Sequence, residues 1–543
     1  MRKPLRLRRY LVHFSSYNIP QIFTDVLVIG SGIAGLSAVC ALDEGVSVLL
    51  ATKGALRDGS TNEAQGGVAV ALAGDDSPED HFEDTVEAGG GLCNEETVRL
   101  VTREGPAAIR DLIEMGVCFD REDGGFAFTR EGGHRRPRIL HANGDATGGA
   151  IEEGLAARVI PQARDGRVDV FERTFALDLL TLDGACYGAL IWNQPHGLMM
   201  VRAKQTILAT GGCGRVYRET TNPAVVTGDG VAMAFRAGAA LEDLEFVQFH
   251  PTTLYVAGAS RALISESLRG EGAVLLNRGG ERFMARYHPA GELAPRDVVS
   301  RSIIEEMART QHTNVYLDVR AMSADFLEGR FPTITGLCRR FGLDPAEDLI
   351  PVRPAAHYMI GGVRTDLDGR TDIANLLACG EVACTGLHGA NRLGSNSLLE
   401  GLVMGRRCAT TAMANLAKMG EALPVHALQG LPQEPAYGSL NLTDVENSLR
   451  SIMWRDAGVM RSAKGLDEAL DMITFWCRYV MDKEFGDPQG WELQDMLTVA
   501  RLICMCARQR EESRGVHCRT DFPETSPHWQ RHIIIAHTGE QWL

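Results

Sequence analysis

The stretch "TDVLVIGSGIAGLSAVCALDEGVSVLLATKG", residues 24–54, decides the fold. Its apolar run Val26 to Ile29 predicts a buried strand. The run leads into Gly30, Gly32 and Gly35, spaced Gly-x-Gly-x-x-Gly, then a helical stretch and a second apolar run, Val46 to Leu50. Strand, glycine turn, helix and parallel strand in that order form a dinucleotide-binding unit. Gly30 permits the tight turn, Gly32 lets backbone approach a pyrophosphate, and Gly35 lets the helix pack on the strand, with the helix N-terminus facing the phosphates. An acidic residue for a ribose hydroxyl is expected after the second strand, but Ala51, Thr52 and Lys53 stand there. NAD is therefore disfavoured as the resident ligand, and the adenosine end has to be held differently.

Working outward, "KQTILATGGCG" (204–214) and "GRTDIANLLACGEVACTG" (369–386) read as two more strands of the same sheet, each ending in glycine. Strands so far apart in sequence imply an inserted unit, placed between about Leu244 and Tyr358. The segment 423–438 holds three prolines, breaks periodicity and reads as a linker. Beyond it, Thr443-x-x-Glu446 predicts a capping box, and Leu493, Met496, Leu497, Ala500, Ile503, Cys504 and Ala507 form one helical stripe. The predicted class is α/β: a Rossmann-like domain over 23–243 and 359–428, an α+β capping domain over 244–358, and a helical bundle over 436–543. Residues 1–22 are an N-terminal extension, disordered or docked on the surface.

Composition narrows the function. The chain has 543 residues, and 55 basic against 70 acidic residues give a net charge of −15. Without a basic stripe, that balance argues against nucleic acid or an anionic membrane as partner. No apolar run reaches the 18 or so residues a membrane helix needs. Thirteen cysteines without any Cys-x-x-Cys read as thiols of a reducing cytoplasm, with neither disulfides nor a metal site. The N-terminus is basic, with Arg2, Lys3, Arg6, Arg8 and Arg9, but its apolar part "YLVHF" is too short for a signal peptide.

Polar residues gather among glycines and prolines in five stretches: "EFVQFHPTTLY" with His250, "LISESLRGEG" with Ser265, "GELAPRDVVSR" with Arg296, "PAAHYMIGG" with His357, and "GLHGANRLGSNSLLEG" with His388, Arg392, Ser395, Asn396 and Ser397. Site loops have this character. In "GELAPRDVVSR", Pro295 opens a helix whose apolar face is Val299, Ile303 and Met307, so Arg296 falls in the first turn, where the helix dipole disfavours a cation. Such an arginine makes sense facing an anion, or in a local pair with Glu292 or Asp297.

These motifs, with "SGIAGLSA", "GSTNEAQGG" and "ILATGG", resemble the flavoprotein family of succinate dehydrogenase, fumarate reductase and L-aspartate oxidase from about Asp25 to the end of the chain. Two segments are similar to the oxidase branch: "FTREGGHRRPRILHANGDATG" (128–148), in which Glu131 would face a substrate amino group, and "REESRGVHCRTDFPE" near the C-terminus. The respiratory members carry a flavin-linked His beside "AQGG"; "DGSTNEAQGG" has none, so the resemblance implies non-covalent FAD. Ser265 stands where threonine is expected, and Glu63 where an aromatic is expected.

The resemblance implies FAD contacts at Gly30, Ser31, Gly32, Ile33, Ala34, Gly35, Lys53, Ser60, Thr61, Asn62, Glu63, Ala64, Gln65, Gly66, Gly67, Asp229, Glu381, Ser397 and Leu398. It implies that His250, Ser265, His357 and Arg392 clamp the carboxylates of a dicarboxylate, and that Arg296, an acid or an electrostatic clamp, and Glu131 are catalytic. The implied reaction is oxidation of L-aspartate to iminoaspartate, with O2 or fumarate as acceptor, as the first step of quinolinate formation for NAD synthesis; quinolinate synthase is the implied partner. The alternative is a soluble fumarate reductase or a succinate dehydrogenase flavoprotein subunit.

Overall fold

The computed structural model describes residues 8–259, 262–420, 426–430, 434–435 and 441–537. Its central sheet is built on the quoted stretch. Strand β1 (Gln21–Ile29) runs into helix α1 (Ile33–Ala41) and returns as β2 (Val48–Ala51). Val26 to Ile29 and all of β2 are buried, which is why both read as unbroken apolar runs. Strand β1 begins at Gln21, earlier than the apolar run suggests, because its first residues pair with Met200 and Val201.

Helix α2 (Thr147–Arg164) leads to β3 (Val168–Phe171), the antiparallel ribbon β4 (Thr174–Leu182) and β5 (Ala185–Asn193), and β6 (Gly197–Leu208). The order is β4-β5-β6-β1-β2-β3, and β1 lies parallel to β6 and β2, Val28 opposite Ile207 and Leu50. Beyond helix α3 (Asp229–Ala237), the chain leaves this sheet along β7 (Val247–Leu254).

A second, antiparallel sheet follows, ordered β7-β10-β9-β8, from β8 (Val274–Leu276), β9 (Val315–Asp318) and β10 (Ile350–Met359). Helix α4 (Arg296–Thr310) packs on it, burying Val299, Ile303 and Met307 in a core with Leu254, Leu317 and Ile350. The apolar face read from "GELAPRDVVSR" is thus the face that anchors Arg296. After β10 the chain rejoins the first sheet as β11 (Leu376–Ala378), parallel to β6, and then forms helix α5 (Asn396–Leu416).

Three helices close the fold: α6 (Leu442–Asp456), α7 (Ala463–Val480) and α8 (Pro488–Gln509). The stripe Leu493 to Ala507 is buried. The predicted capping box is not formed. Asn441 caps α6, its side chain accepting from the Asp444 N–H, so Thr443 falls inside the first turn and Glu446 pairs with Arg450. Asparagine is as good a cap as the helix start offers. Among the described residues of the linker, Leu428 is buried and Gln429–Gly430 pair with Phe14–Ser15. Leu11 and Phe14 are buried too, so from Arg8 onward the N-terminal residues are docked.

Helix α3, β4 and α8 are tied together by one buried cation. Arg236 donates from Nε to Asp178 (2.7 Å), from Nη1 to Asp495 and from Nη2 to the Leu177 carbonyl (2.8 Å). Arg236→Ala leaves two buried carboxylates uncompensated and should cost about 3–5 kcal/mol. Urea unfolding followed by tryptophan fluorescence checks this; a loss under about 1 kcal/mol would show that the carboxylates find other partners.

Candidate active site

A cavity of about 1100 Å³ opens at the C-terminal ends of β1, β2 and β6, against the start of α1. That is where an α/β sheet binds nucleotides. Gly30, Ser31, Gly32, Ile33, Ala34, Lys53, Ser60, Thr61, Asn62, Glu63, Ala64, Gln65, Asp229, Glu381, Ser397 and Leu398 line it. Three residues assigned to the cofactor do not. Gly35 packs α1 on the turn, where a Cβ would lie 1.9 Å from the Gly30 carbonyl oxygen. Gly67 packs on Ile139 and Leu140, and Gly66 lies beside Glu131 and Ser395.

The lining suits FAD. Gly30, at φ +108°, makes a turn that only glycine adopts readily, whereas a Cβ on Gly32 would meet only the Thr61 hydroxyl, so Gly32 leaves room at the helix start. The buried Ser60 and Thr210 hydroxyls and the Gln65 carbonyl have no partner in the protein, as expected of groups that bind a polar ligand. The carboxylate missing after β2 is present in space: Asp229, at the head of α3, lies 2.8 Å from Lys53 Nζ, which also pairs with Glu492 at 2.6 Å. Glu381 is not a surface ion pair; it is half-buried in the cavity wall, accepts the Met359 N–H at 2.8 Å, and desolvation pushes it up to about 7.

Beside the cavity stands a second, almost wholly buried cluster, joined to it by His357 and Ser397, which line the cavity themselves. At its centre is an amide oxygen shared by two guanidinium groups. Gln248 Oε1 accepts from Arg296 Nη1 at 3.4 Å and from Arg392 Nε at 3.2 Å. Arg392 also donates to the Ser397 hydroxyl at 2.6 Å. Burial and Arg296 pull Arg392 down to about 10, which leaves it charged at neutral pH.

Arg296, the first residue of α4, is offset by neither Glu292 nor Asp297, which pair with Arg282 and Arg301. Its Nε donates to Glu266 at 2.5 Å, and its Nη2 lies 3.8 Å from Glu131. Glu266 also accepts the Gly132 N–H at 3.1 Å and lies 3.6 Å from Arg269. Burial works against the Glu266 charge, but Arg296 and Arg269 hold the carboxylate below its usual range. Burial and the nearby Glu266 push Glu131 up instead. Glu131 accepts from the hydroxyls of Ser395 (2.8 Å) and Ser267 (3.3 Å). Gly394 is needed here, since a Cβ would sit 2.7 Å from the Glu131 carboxylate.

His250 and His357 lie with ring centroids 5.1 Å apart. Burial and the nearby arginines hold both well below the ordinary imidazole range, so both are neutral. In each, Nδ1 has a local partner: the carbonyl oxygen (3.0 Å) and N–H (3.2 Å) of Thr252 for His250, and the Thr221 hydroxyl at 2.9 Å for His357. Among the described residues no hydrogen bond engages Nε2 of either ring, and in the tautomer with Nδ1 accepting, Nε2–H donates to an anion. The register of β7 on β10 breaks at both residues: Phe249 faces Ala356 while Gln248 faces Tyr358, and a second shift follows His250. Bulges of this kind re-aim side chains beside active sites. Ser265 is buried and donates to the Ser267 hydroxyl at 3.2 Å. His388 touches neither arginine nor the other histidines; it bonds Glu400 and lies 3.3 Å from the hydroxyl of Tyr358, whose ring is stacked on the Arg392 guanidinium.

Sequence reasoning missed Gln248, Glu266, Ser267 and Tyr358 as members of the cluster and gave Ser395 no role. Gln248 was accessible, since it lies two residues from His250 and so on the same strand face. Glu266 was not, because its partner is 30 residues away.

A family model described as FAD binding domain matches residues 25–398, and one described as fumarate reductase flavoprotein C-term matches residues 446–542. Fold, cavity and these matches define an FAD-dependent flavoprotein. The chain is 45% identical over 547 residues to the L-aspartate oxidase of Streptomyces coelicolor, covering 96% of this chain and 93% of that protein. It is 43% identical to that of Mycobacterium leprae, over 96% of each. Among solved structures, E. coli quinol fumarate reductase FrdA superimposes with a TM-score of 0.87 at 31% identity, covering 95% and 94%. Mycobacterium smegmatis Sdh1 gives 0.81 at 32%, covering 97% and 95%. The chain belongs to the L-aspartate oxidases of the succinate dehydrogenase and fumarate reductase flavoprotein family.

The glycines separate folding from cofactor binding. Gly32→Ala should fold with an unchanged melting temperature but bind FAD at least about tenfold more weakly, read by quenching of flavin fluorescence. Gly35→Ala should lose the fold. Equal behaviour of the two variants would contradict the division.

Proposed function

We propose that the cluster oxidises L-aspartate to iminoaspartate, with O2 or fumarate as the electron acceptor. One observation carries this: two buried guanidinium groups share the Gln248 oxygen, two neutral histidines stand next to them, and Glu131 lies within 4 Å of one arginine. Two cations and two N–H donors suit a dianion, and one added carboxylate suits an ammonium group on it. L-Aspartate has both. FAD, when bound, supplies the redox chemistry, taking two electrons from the substrate and passing them to O2, which gives hydrogen peroxide, or to fumarate, which gives succinate.

The protein's own part is binding, orientation and charge. Arg392 and Arg296 hold the carboxylates, Arg392 through its free Nη2 edge, and the Nε2–H groups of His250 and His357 and the Ser265 hydroxyl add neutral donors. Holding both ends fixes the Cα–H toward the cavity wall formed by His357 and Ser397. Glu131 accepts hydrogen bonds from the substrate ammonium and discriminates against succinate, which has none. Arg296 works mainly as a clamp, because a guanidinium is a poor proton donor. FAD is held without a covalent bond, since residues 60–67 include no histidine.

The product imine hydrolyses in water, so it needs a prompt consumer; quinolinate synthase, on the way to NAD, is the proposed one. The enzyme works in the cytoplasm, a reading supported by thirteen free cysteines and by described helices that are all too short or too polar to cross a membrane.

Purified flavoprotein should make peroxide with L-aspartate and not with succinate; peroxide from succinate alone would sink the assignment. Glu131→Gln should weaken aspartate oxidation far more than fumarate reduction. Because Glu131 is raised above its usual range, kcat/KM for L-aspartate should climb with pH as the carboxyl ionises, and Glu131→Gln should flatten that limb; an unchanged limb would contradict the role. Arg296→Leu should lower kcat/KM about 10²- to 10³-fold for both reactions, and Arg296→Lys should recover part of each. Full recovery of aspartate oxidation with none of fumarate reduction would make Arg296 a proton donor instead.

A further inference from the structure

Arg392 differs from Arg296 in how its charge is offset. No carboxylate oxygen of the described residues lies within 4.0 Å of it. Its neighbours are the Gln248 oxygen, the Ser397 hydroxyl and the ring of Tyr358, whose centroid lies 4.4 Å from the guanidinium carbon. The side chain is only 4% exposed. Glu381 and Glu131, farther off, favour its charge, but burial and Arg296 outweigh them.

Behind Tyr358 lies a buried polar group to which the reaction assigns no role. The Tyr358 hydroxyl donates to Glu400 Oε2 at 2.9 Å, and His388 Nε2 lies 2.9 Å from the same oxygen. The Thr385 hydroxyl donates to the other oxygen at 2.6 Å. Burial acts to raise Glu400, but His388, Thr385 and Tyr358 outweigh it and hold the carboxylate below its usual range. Burial and Glu400 push the Tyr358 phenol well up, so it keeps its proton and remains the donor. A phenol donating to a carboxylate gains electron density in its ring, and a guanidinium over that ring is attracted through its face.

We propose that Glu400 is a further, remote counter-charge of Arg392, acting through the hydroxyl and ring of Tyr358, and that Tyr358, Glu400 and His388 are positioning residues for the dicarboxylate clamp. This rests on Arg392 being a carboxylate ligand. The geometry gives the arrangement its purpose. A carboxylate placed directly on Arg392 would occupy the N–H edge the substrate needs, whereas a ring stacked on its face offsets the charge and leaves that edge free. His388, singled out in the sequence but set apart from the clamp in space, orients Glu400.

The test uses the full-length flavin-loaded enzyme and malonate, a dicarboxylate with one methylene and no amino group, which can be oxidised neither to an imine nor to an alkene, titrated by its effect on flavin absorbance. Tyr358→Phe and Glu400→Gln should each weaken malonate about tenfold, and the double variant should be no weaker than the worse single one, since both cut the same relay. Losses that multiply in the double variant, or unchanged affinity in Tyr358→Phe, would overturn the proposal. Should Glu400→Gln fail to load flavin, Tyr358→Phe decides alone. Arg392→Lys is the control: if it leaves malonate affinity unchanged, the clamp reading itself fails, whereas a loss there with none in Tyr358→Phe refutes only the relay.

Discussion

Two like charges buried side by side are the constraint around which this site is organised. Arg296 and Arg392 both reach Gln248 Oε1. With donor nitrogens 3.4 and 3.2 Å from one oxygen, and at an effective dielectric near 20, their repulsion is on the order of 2–3 kcal/mol, besides the cost of taking each from water. Each is compensated differently. Arg296 has a direct partner in Glu266, and Arg392 has the face of Tyr358 with Glu400 beyond it. The histidines stay neutral beside them because further positive charge there would be unfavourable. A dianion would relieve the strain that remains, which is the physical basis of the proposed dicarboxylate clamp.

That constraint explains the cation at a helix start. The dipole at the head of α4 and the charge of Arg296 repel, and Glu266, at the start of a different short helix, offsets both. Val299, Ile303 and Met307 fix α4 on the second sheet, and the Ser300 hydroxyl donates to the Phe249 carbonyl at 2.8 Å. The guanidinium is thereby held beside the strand that carries Gln248 and His250. Glu131 comes from a third region, and burial, with the Glu266 carboxylate already in the cluster, pushes it up; an ammonium ion arriving beside Glu131 would favour its charged form.

The sequence by itself determined the sheet, the glycine turn and the helical stripes, because each is a local pattern: apolar runs for strands buried on both faces, glycines where a Cβ would collide, and period 3.6 in the last helix. It also marked His250, His357, Arg296 and Arg392, by their setting among turns and by resemblance. What only the tertiary structure decided is which charges meet. Glu266 lies 30 residues from Arg296, Glu131 lies 165 residues from it, and Glu400 acts on Arg392 through a tyrosine of β10. The two register breaks that aim His250 and His357 are equally non-local, since a bulge is defined only by the partner strand. Pairing of buried charge depends on distance in space, and periodicity along one chain carries no record of that distance.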